Sequence, residues 1–272
     1  MLTSVDVQSE NPFVLEIRDA KPTDSIIVEK IEGLGPPDVD LFMGDYARDG
    51  GSYSGRRVPP RNVTFTLRIN PNYKENESVS GLRDMLYKAF MDPFTDADSL
   101  PFILHDDELP DRFIEAHTEK FDTDIFSGET LATIAMRCPN PYILDVEWTS
   151  LAASGSSLPF QYDGNAGAGI QLEVEFTTSS SITTIELNGK KLFLNYPFLT
   201  DDVLFIDTRR GYRKIQVTRG SETTDILYAL DPDSVWLELH SLANLIKLYG
   251  EVTTDIPGNF TDVTFRTAYW GI

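Results

Sequence analysis

The chain has 272 residues, 41% of them hydrophobic and 11% aromatic, and its 23 basic against 43 acidic side chains give a formal charge of −20. That length suits one large domain or two ordinary ones, and so apolar a composition sets the chain apart from disordered proteins. The charge argues against a nucleic-acid binder, whose affinity comes from neutralising phosphates, and against docking on anionic lipid. A single cysteine, Cys138, allows no internal disulfide. The opening MLTSVDVQSENPF has neither the basic nor the apolar region of a secretion signal, and no apolar run approaches membrane-spanning length.

Phe13–Arg18 alternates apolar and polar residues and predicts a strand, as does Ser25–Ile31. Gly33, Gly35, Pro36 and Pro37 then break regular structure. Gly33–Pro71 predicts a long β-arm: out through Asp40–Tyr46, round the glycines between Asp49 and Gly55, and back through Arg56–Ile69. An arm of this kind can add strands to a neighbouring subunit; an ordinary hairpin with a loose surface loop accounts for the same pattern. Asn70-Pro71-Asn72 stops the sheet.

Ser78–Phe90 predicts the one helix. Val79, Leu82, Leu86, Ala89 and Phe90 share a face, Ser78 or Ser80 can cap it, and Asp92-Pro93 ends it. Four short strands follow: Pro101–His105, Arg112–Glu119, Lys120–Ile125 and Thr130–Arg137. Pro139, Pro141 and a Ser/Ala/Gly-rich stretch at Ser150–Ser157 mark a boundary, placed near Asp145, that divides the chain into residues 1–145 and 146–272. The second part is all β by pattern. Strands are expected around Leu172–Phe176, Thr183–Leu187, Lys190–Leu194, Val203–Asp207, Arg213–Thr218, Val235–Leu239, Leu245–Tyr249 and Val263–Tyr269, with a type I′ hairpin at Asn188-Gly189. The fold class is therefore mainly β: a first domain of sheet with one helix and a long arm, and a second domain of sandwich or jelly-roll type.

Catalytic chemistry is sparse. His105, His117 and His240 fall on separate predicted strands without metal-ligand spacing, Cys138 suits a small buried residue, and nucleophile-elbow, P-loop and zincin motifs are missing. The expectation is no enzyme and no cofactor. Two acidic stretches, Asp92/Asp96/Asp98 and Asp106/Asp107/Glu108/Asp111, carry enough oxygen ligands to raise the question of calcium, but neither has an EF-hand's spacing, and solvated loop carboxylates account for both. Arg48, Arg56, Arg57, Arg61 and Arg68 form a basic group in an acidic chain. They can be a solvated face, or they can pair with the acid-rich stretch that includes Asp92, Asp96 and Asp98 on a neighbouring copy and so close a ring. Trp236 can serve as a stacking platform for a sugar or as a core residue.

Two stretches resemble the distal tail proteins of long, non-contractile-tailed bacteriophages. One is GLGPPDVDLF, followed by Gly55-Arg56-Arg57-Val58-Pro59-Pro60-Arg61-Asn62, a strand ending in Asn70-Pro71, and the helix LRDMLYKAF. The other is DVLFIDT with Arg210-Gly211, then LDPDSVW, Leu245-Ile246 and the closing Val263–Ile272. The resemblance implies a structural virion protein, made in the host cytoplasm and built into the tail tip. Its first domain would form a ring, usually a hexamer, between the tail tube and the tip or hub and receptor-binding proteins, with a lumen that passes DNA. Its second domain would be a galectin-like sandwich outside the ring. Two alternatives stand beside this: a lectin-like module that recognises host-surface glycans, and another minor tail or tail-tube protein with the same ring fold.

Overall fold

The computed structural model describes residues 1–9, 12–45, 49–91, 99–123, 130–250 and 255–272. The chain divides into two compact units, one of Met1–Val146 with Trp270–Ile272 and one of Glu147–Tyr269. Both are built of strands, and among the described residues there is a single α-helix.

The first unit holds β1 (Leu2–Val7), β2 (Phe13–Glu16), β3 (Ile26–Glu32), β4 (Asp40–Asp45), β5 (Gly51–Arg57), β6 (Arg61–Ile69), α1 (Val79–Phe90), β7 (Leu100–Asp106), β8 (Arg112–Thr123), β9 (Leu131–Cys138) and β10 (Ile143–Asp145). Its main sheet runs β2-β1-β7-β8-β9-β6-β3 and is nearly closed and barrel-like. The alternation in β6 works as expected: Val63, Phe65, Leu67 and Ile69 are buried, while Asn62 and Arg68 are exposed. Helix α1 starts at Ser78, whose hydroxyl accepts the Gly81 N–H at 3.1 Å, and it buries Leu82, Leu86, Ala89 and Phe90. Phe90 meets Phe65 and Phe102 with ring centroids 5.8 and 6.0 Å away. This aromatic trio, with Leu86 and Ile134 fully buried in the same cluster, is the centre of the first core.

Three expectations for this unit need correction. The arm does not return continuously through Arg56–Ile69. Strand β5 begins at Gly51 and pairs only with β4, whereas β6 lies between β3 and β9 in the main sheet. Pro59 and Pro60 separate them, because neither has an N–H to give to a ladder. Arg112–Glu119 and Lys120–Ile125 are not two strands over the described residues: β8 is continuous to Thr123, with a bulge between Thr118 and Lys120 that shifts the side-chain alternation. Leu2–Val7, unassigned from sequence, pairs with both β2 and β7 and buries Val5 and Val7.

The second unit holds β11 (Thr149–Gly155), β12 (Ser157–Tyr162), β13 (Ile170–Phe176), β14 (Ser180–Leu187), β15 (Lys190–Phe198), β16 (Val203–Asp207), β17 (Lys214–Arg219), β18 (Glu222–Asp225), β19 (Leu242–Tyr249), β20 (Gly258–Phe265) and β21 (Ala268–Tyr269). One sheet runs β11-β20-β13-β16-β17-β18 and the other β12-β19-β14-β15. They form a sandwich whose inner faces carry Leu172, Val174, Leu204, Ile206 and Val263 from the first sheet and Ile185, Leu187, Leu192, Leu194 and Ile246 from the second, all fully buried. Phe176 and Phe198 stack between the sheets at 4.2 Å. Asn188 and Gly189 both have positive φ, 51° and 84°, as the predicted type I′ turn requires. Val235–Leu239 is not a strand. Leu237 and Leu239 are buried in an extended segment whose one ladder contact is the Ala168–Leu239 bridge, so its alternation reflects burial without strand pairing.

Candidate functional site

The feature of the first unit that its own core does not explain is the β4–β5 ribbon. Among the described residues its two strands pair only with each other, and every residue in them is exposed except the half-buried Gly55. The register sets Leu41 opposite Arg56 and Met43 opposite Tyr53, so these four share a face; Asp40, Phe42 and Arg57 lie on the other. Leu41, Met43 and Tyr53 are 60%, 58% and 60% exposed, an apolar stripe turned to solvent. A bulge leaves Ser54 over between Phe42 and Met43, and the Ser54 hydroxyl donates to the Phe42 carbonyl at 3.0 Å. Gly51 has to be glycine because a Cβ there would lie 2.7 Å from the Gly44 carbonyl oxygen. Two-stranded ribbons are marginal in water unless something packs on them.

The five arginines grouped in the sequence separate in space. Arg57 faces Asp40 at 3.5 Å with both side chains well exposed, and Arg56 extends from the apolar face. Arg68 pairs with Glu29 at 2.8 Å on β3. Arg48, and the carboxylates Asp92, Asp96 and Asp98 expected opposite it, lie outside the described residues.

Arg61 does not join the exposed group. It is 3% exposed, and its guanidinium donates to four carbonyls of its own chain: Pro141 at 2.7 Å, Gly33 at 2.8 Å, Gly35 at 2.7 Å and Trp270 at 2.5 Å. Burial lowers its pKa from the usual arginine value, with the Cys138 sulfur acting the other way. The clamp draws together the segments before β4, after β9 and after β21. Gly33, at φ 88°, permits the approach: a Cβ on it would overlap the Asn62 carbonyl oxygen at 1.9 Å. Cys138 is fully buried beside this cluster, and burial pushes its thiol up to about 12, so it carries no thiolate near neutrality.

The other acidic stretch is occupied by the protein's own cations. Asp106 holds the N-terminal amine at 3.0 Å, Asp107 pairs with Arg18, and His105 sits between Asp111 at 2.9 Å and Asp6 at 3.2 Å. Burial pulls the His105 pKa down, but its two aspartate partners more than offset that, so it lies above the ordinary histidine value. In the second unit Trp236 is half-buried, and the Arg213 guanidinium lies 4.9 Å from its ring centroid. That cation lies over one face of the ring.

Residues 163–269 match the family model of the siphovirus-type tail component, C-terminal domain. Over those residues this chain is similar to a siphovirus tail component. Its fold is similar to the crystal structure of the Dit (gp 19.1) protein of phage SPP1, with a TM-score of 0.63 and 17% identity over 90% of this chain and 94% of that one. That protein is described as a paradigm of the hub adsorption apparatus in phages infecting Gram-positive hosts. A chain of the phage P2 baseplate in its activated conformation with Ca matches at a TM-score of 0.46 and 8% identity, over 99% of this chain and 98% of that chain. No curated protein matches the sequence. The chain thus shares the mainly β fold of that crystal structure.

Proposed function

We propose that this chain is a Dit-like tail protein of a siphophage and forms a ring, six copies in the usual arrangement, that joins the tail tube to the hub and receptor-binding proteins of the tip and leaves a lumen for DNA. The observation that carries the proposal is the β4–β5 ribbon, which exposes Leu41, Met43 and Tyr53 beside Arg56 in a chain of net charge −20. A marginal ribbon with an apolar face gains stability by packing on a neighbour, and repeated head to tail such a contact closes into a ring. Arg56 and Arg57 would meet an acidic copy of the same chain with favourable charge. An acidic lumen would repel DNA and let it pass without sticking.

The test is light scattering after size exclusion, together with negative-stain images, on the wild type and on Arg56→Glu/Arg57→Glu. The wild type is expected as rings, alone or on added tail-tube protein, and the double variant as a folded monomer of unchanged melting temperature. A wild type that stays monomeric with and without the tube protein overturns the ring. A double variant that assembles normally removes the ribbon from the contact.

A further inference from the structure

One histidine fastens an edge of the first unit's main sheet. His105, on β7, stands between two carboxylates from neighbouring segments: its Nε2 is 3.2 Å from Asp6 on β1, and its Nδ1 is 2.9 Å from Asp111, just ahead of β8. The register puts His105 and Asp6 on one face, since Ser4 lies opposite His105 and Asp6 is two residues along the same strand. The two side chains are 28% and 27% exposed, so water screens them only in part.

A neutral imidazole has one N–H and one lone pair. Between two carboxylates it can satisfy one and must turn its lone pair on the other. The imidazolium has two N–H groups and donates to both, through charge-assisted hydrogen bonds. The other charges of this corner favour the proton. The turn after β7 carries Asp106, Asp107 and Glu108 beside Asp111, and Glu16 on β2 lies across Ser4 from the ring. The N-terminal amine answers Asp106 and Arg18 answers Asp107. Arg112 stands opposite Leu104, on the other face of β8, with Asp145 at 3.8 Å.

We infer that a proton on His105 clasps β1 to the segment leading into β8, closing this edge of the sheet in mildly acid solution and letting β1 and β2 loosen in alkaline solution. Burial opposes the charge, but the hydrogen bonds to Asp111 and Asp6 outweigh it and raise the His105 pKa above the ordinary 6.5. A group whose pKa folding raises contributes stability that is complete below the unfolded value and is lost as pH rises through the folded one. Loosening uncovers the ladder groups of β7, an edge on which another chain can pair. None of these residues belongs to the β4–β5 ribbon, so the clasp goes beyond the ring reading and does not rest on it.

The test combines ring nitrogen NMR of His105 with hydrogen exchange of the β1 amides, both on the full chain. At about pH 6.5, where a free histidine is half protonated, His105 should carry protons on both nitrogens in most molecules. Protection of β1, corrected for intrinsic exchange and measured against β6, should fall about tenfold between about pH 6 and about pH 9, the size of a charged hydrogen bond reduced for partial exposure. The amine that holds Asp106 also loses its proton in alkaline solution, so His105→Gln supplies the baseline. That variant should show the lower protection already at acid pH and a shallower fall. Asp6→Asn should bring the His105 titration back towards that of a free histidine. A ring half protonated or less at about pH 6.5, or β1 protection with the same pH course in wild type and His105→Gln, overturns the proposal. So does a wild-type titration of His105 in Asp6→Asn.

Discussion

Only Val58, Pro59 and Pro60 separate β5 from β6, yet the two strands have opposite characters. In β6 every second residue is buried and the strand is stitched into the main sheet; in β5 nothing is buried, and the strand has one partner, itself exposed. Each carries arginine. Arg56 and Arg57 are held by little, whereas Arg61 is enclosed by four carbonyls contributed by three distant segments. An arginine's role is therefore set by the acceptors that the fold delivers to it, and membership of a basic cluster in the sequence does not decide it.

The largest effect should come from Arg61→Ala. It leaves four carbonyls, all of them in the first unit, to find other donors, and it should destabilise that unit by about 3 kcal/mol or more in urea titration. Arg61→Lys keeps the charge but cannot reach the same four acceptors, so it should recover only part of the loss. If Arg61→Ala proves as mild as Arg56→Ala, the clamp is ornamental and the contrast fails.

An intermediate case lies in the second unit. Asp202 is 1% exposed and receives both arms of Arg219, at 2.8 and 2.7 Å, with the Leu199 N–H at 2.8 Å. Arg219 itself is 46% exposed, so the pair is partly screened. The Arg219 hydrogen bonds, followed by that of Leu199, outweigh burial and hold the Asp202 carboxyl below its ordinary value of 3.8. A depressed carboxylate stabilises the fold above its unfolded pKa, and that contribution is lost as pH falls through the folded pKa. Near neutral pH, Asp202→Asn should therefore cost about 1–2 kcal/mol, and the gap to wild type should narrow as pH falls below about 4. A gap independent of pH would mean that the charge contributes nothing.

At the small end, Arg56→Ala, Met43→Ser and Tyr53→Ser should each change the stability of the isolated chain by no more than about 0.5 kcal/mol, because none of these side chains is buried in it. The same substitutions should weaken assembly. A clear loss of monomer stability would mean that the ribbon packs on its own unit after all.

What could be seen in the sequence followed local chemistry. The β6 alternation, the α1 stripe and the Asn188-Gly189 turn each depend on residues a few positions apart, and each was legible. Strand β11 was not, because Leu151-Ala152-Ala153-Ser154-Gly155 has little β-branched or alternating apolar character and its ladder comes from β20, more than a hundred residues later. The bulge in β8 looked like a boundary because an extra residue reverses the alternation. Arg61 could not be told from Arg56 and Arg57, since its acceptors lie 26, 28, 80 and 209 positions away.

The Arg61 clamp also has a bearing on how the protein is made. Trp270–Ile272 belong to the first unit, although all of Glu147–Tyr269 comes between them and the rest of it. The Trp270 carbonyl that Arg61 binds is 209 positions downstream, and the Ile272 N–H donates to the Leu34 carbonyl. During synthesis the first unit emerges early but stays unlatched until the whole sandwich has followed it off the ribosome. Until then Arg61 lacks the Trp270 carbonyl, one of its four acceptors. A folding sandwich brings its own two ends to fixed positions, which shortens the effective loop that the latch must close.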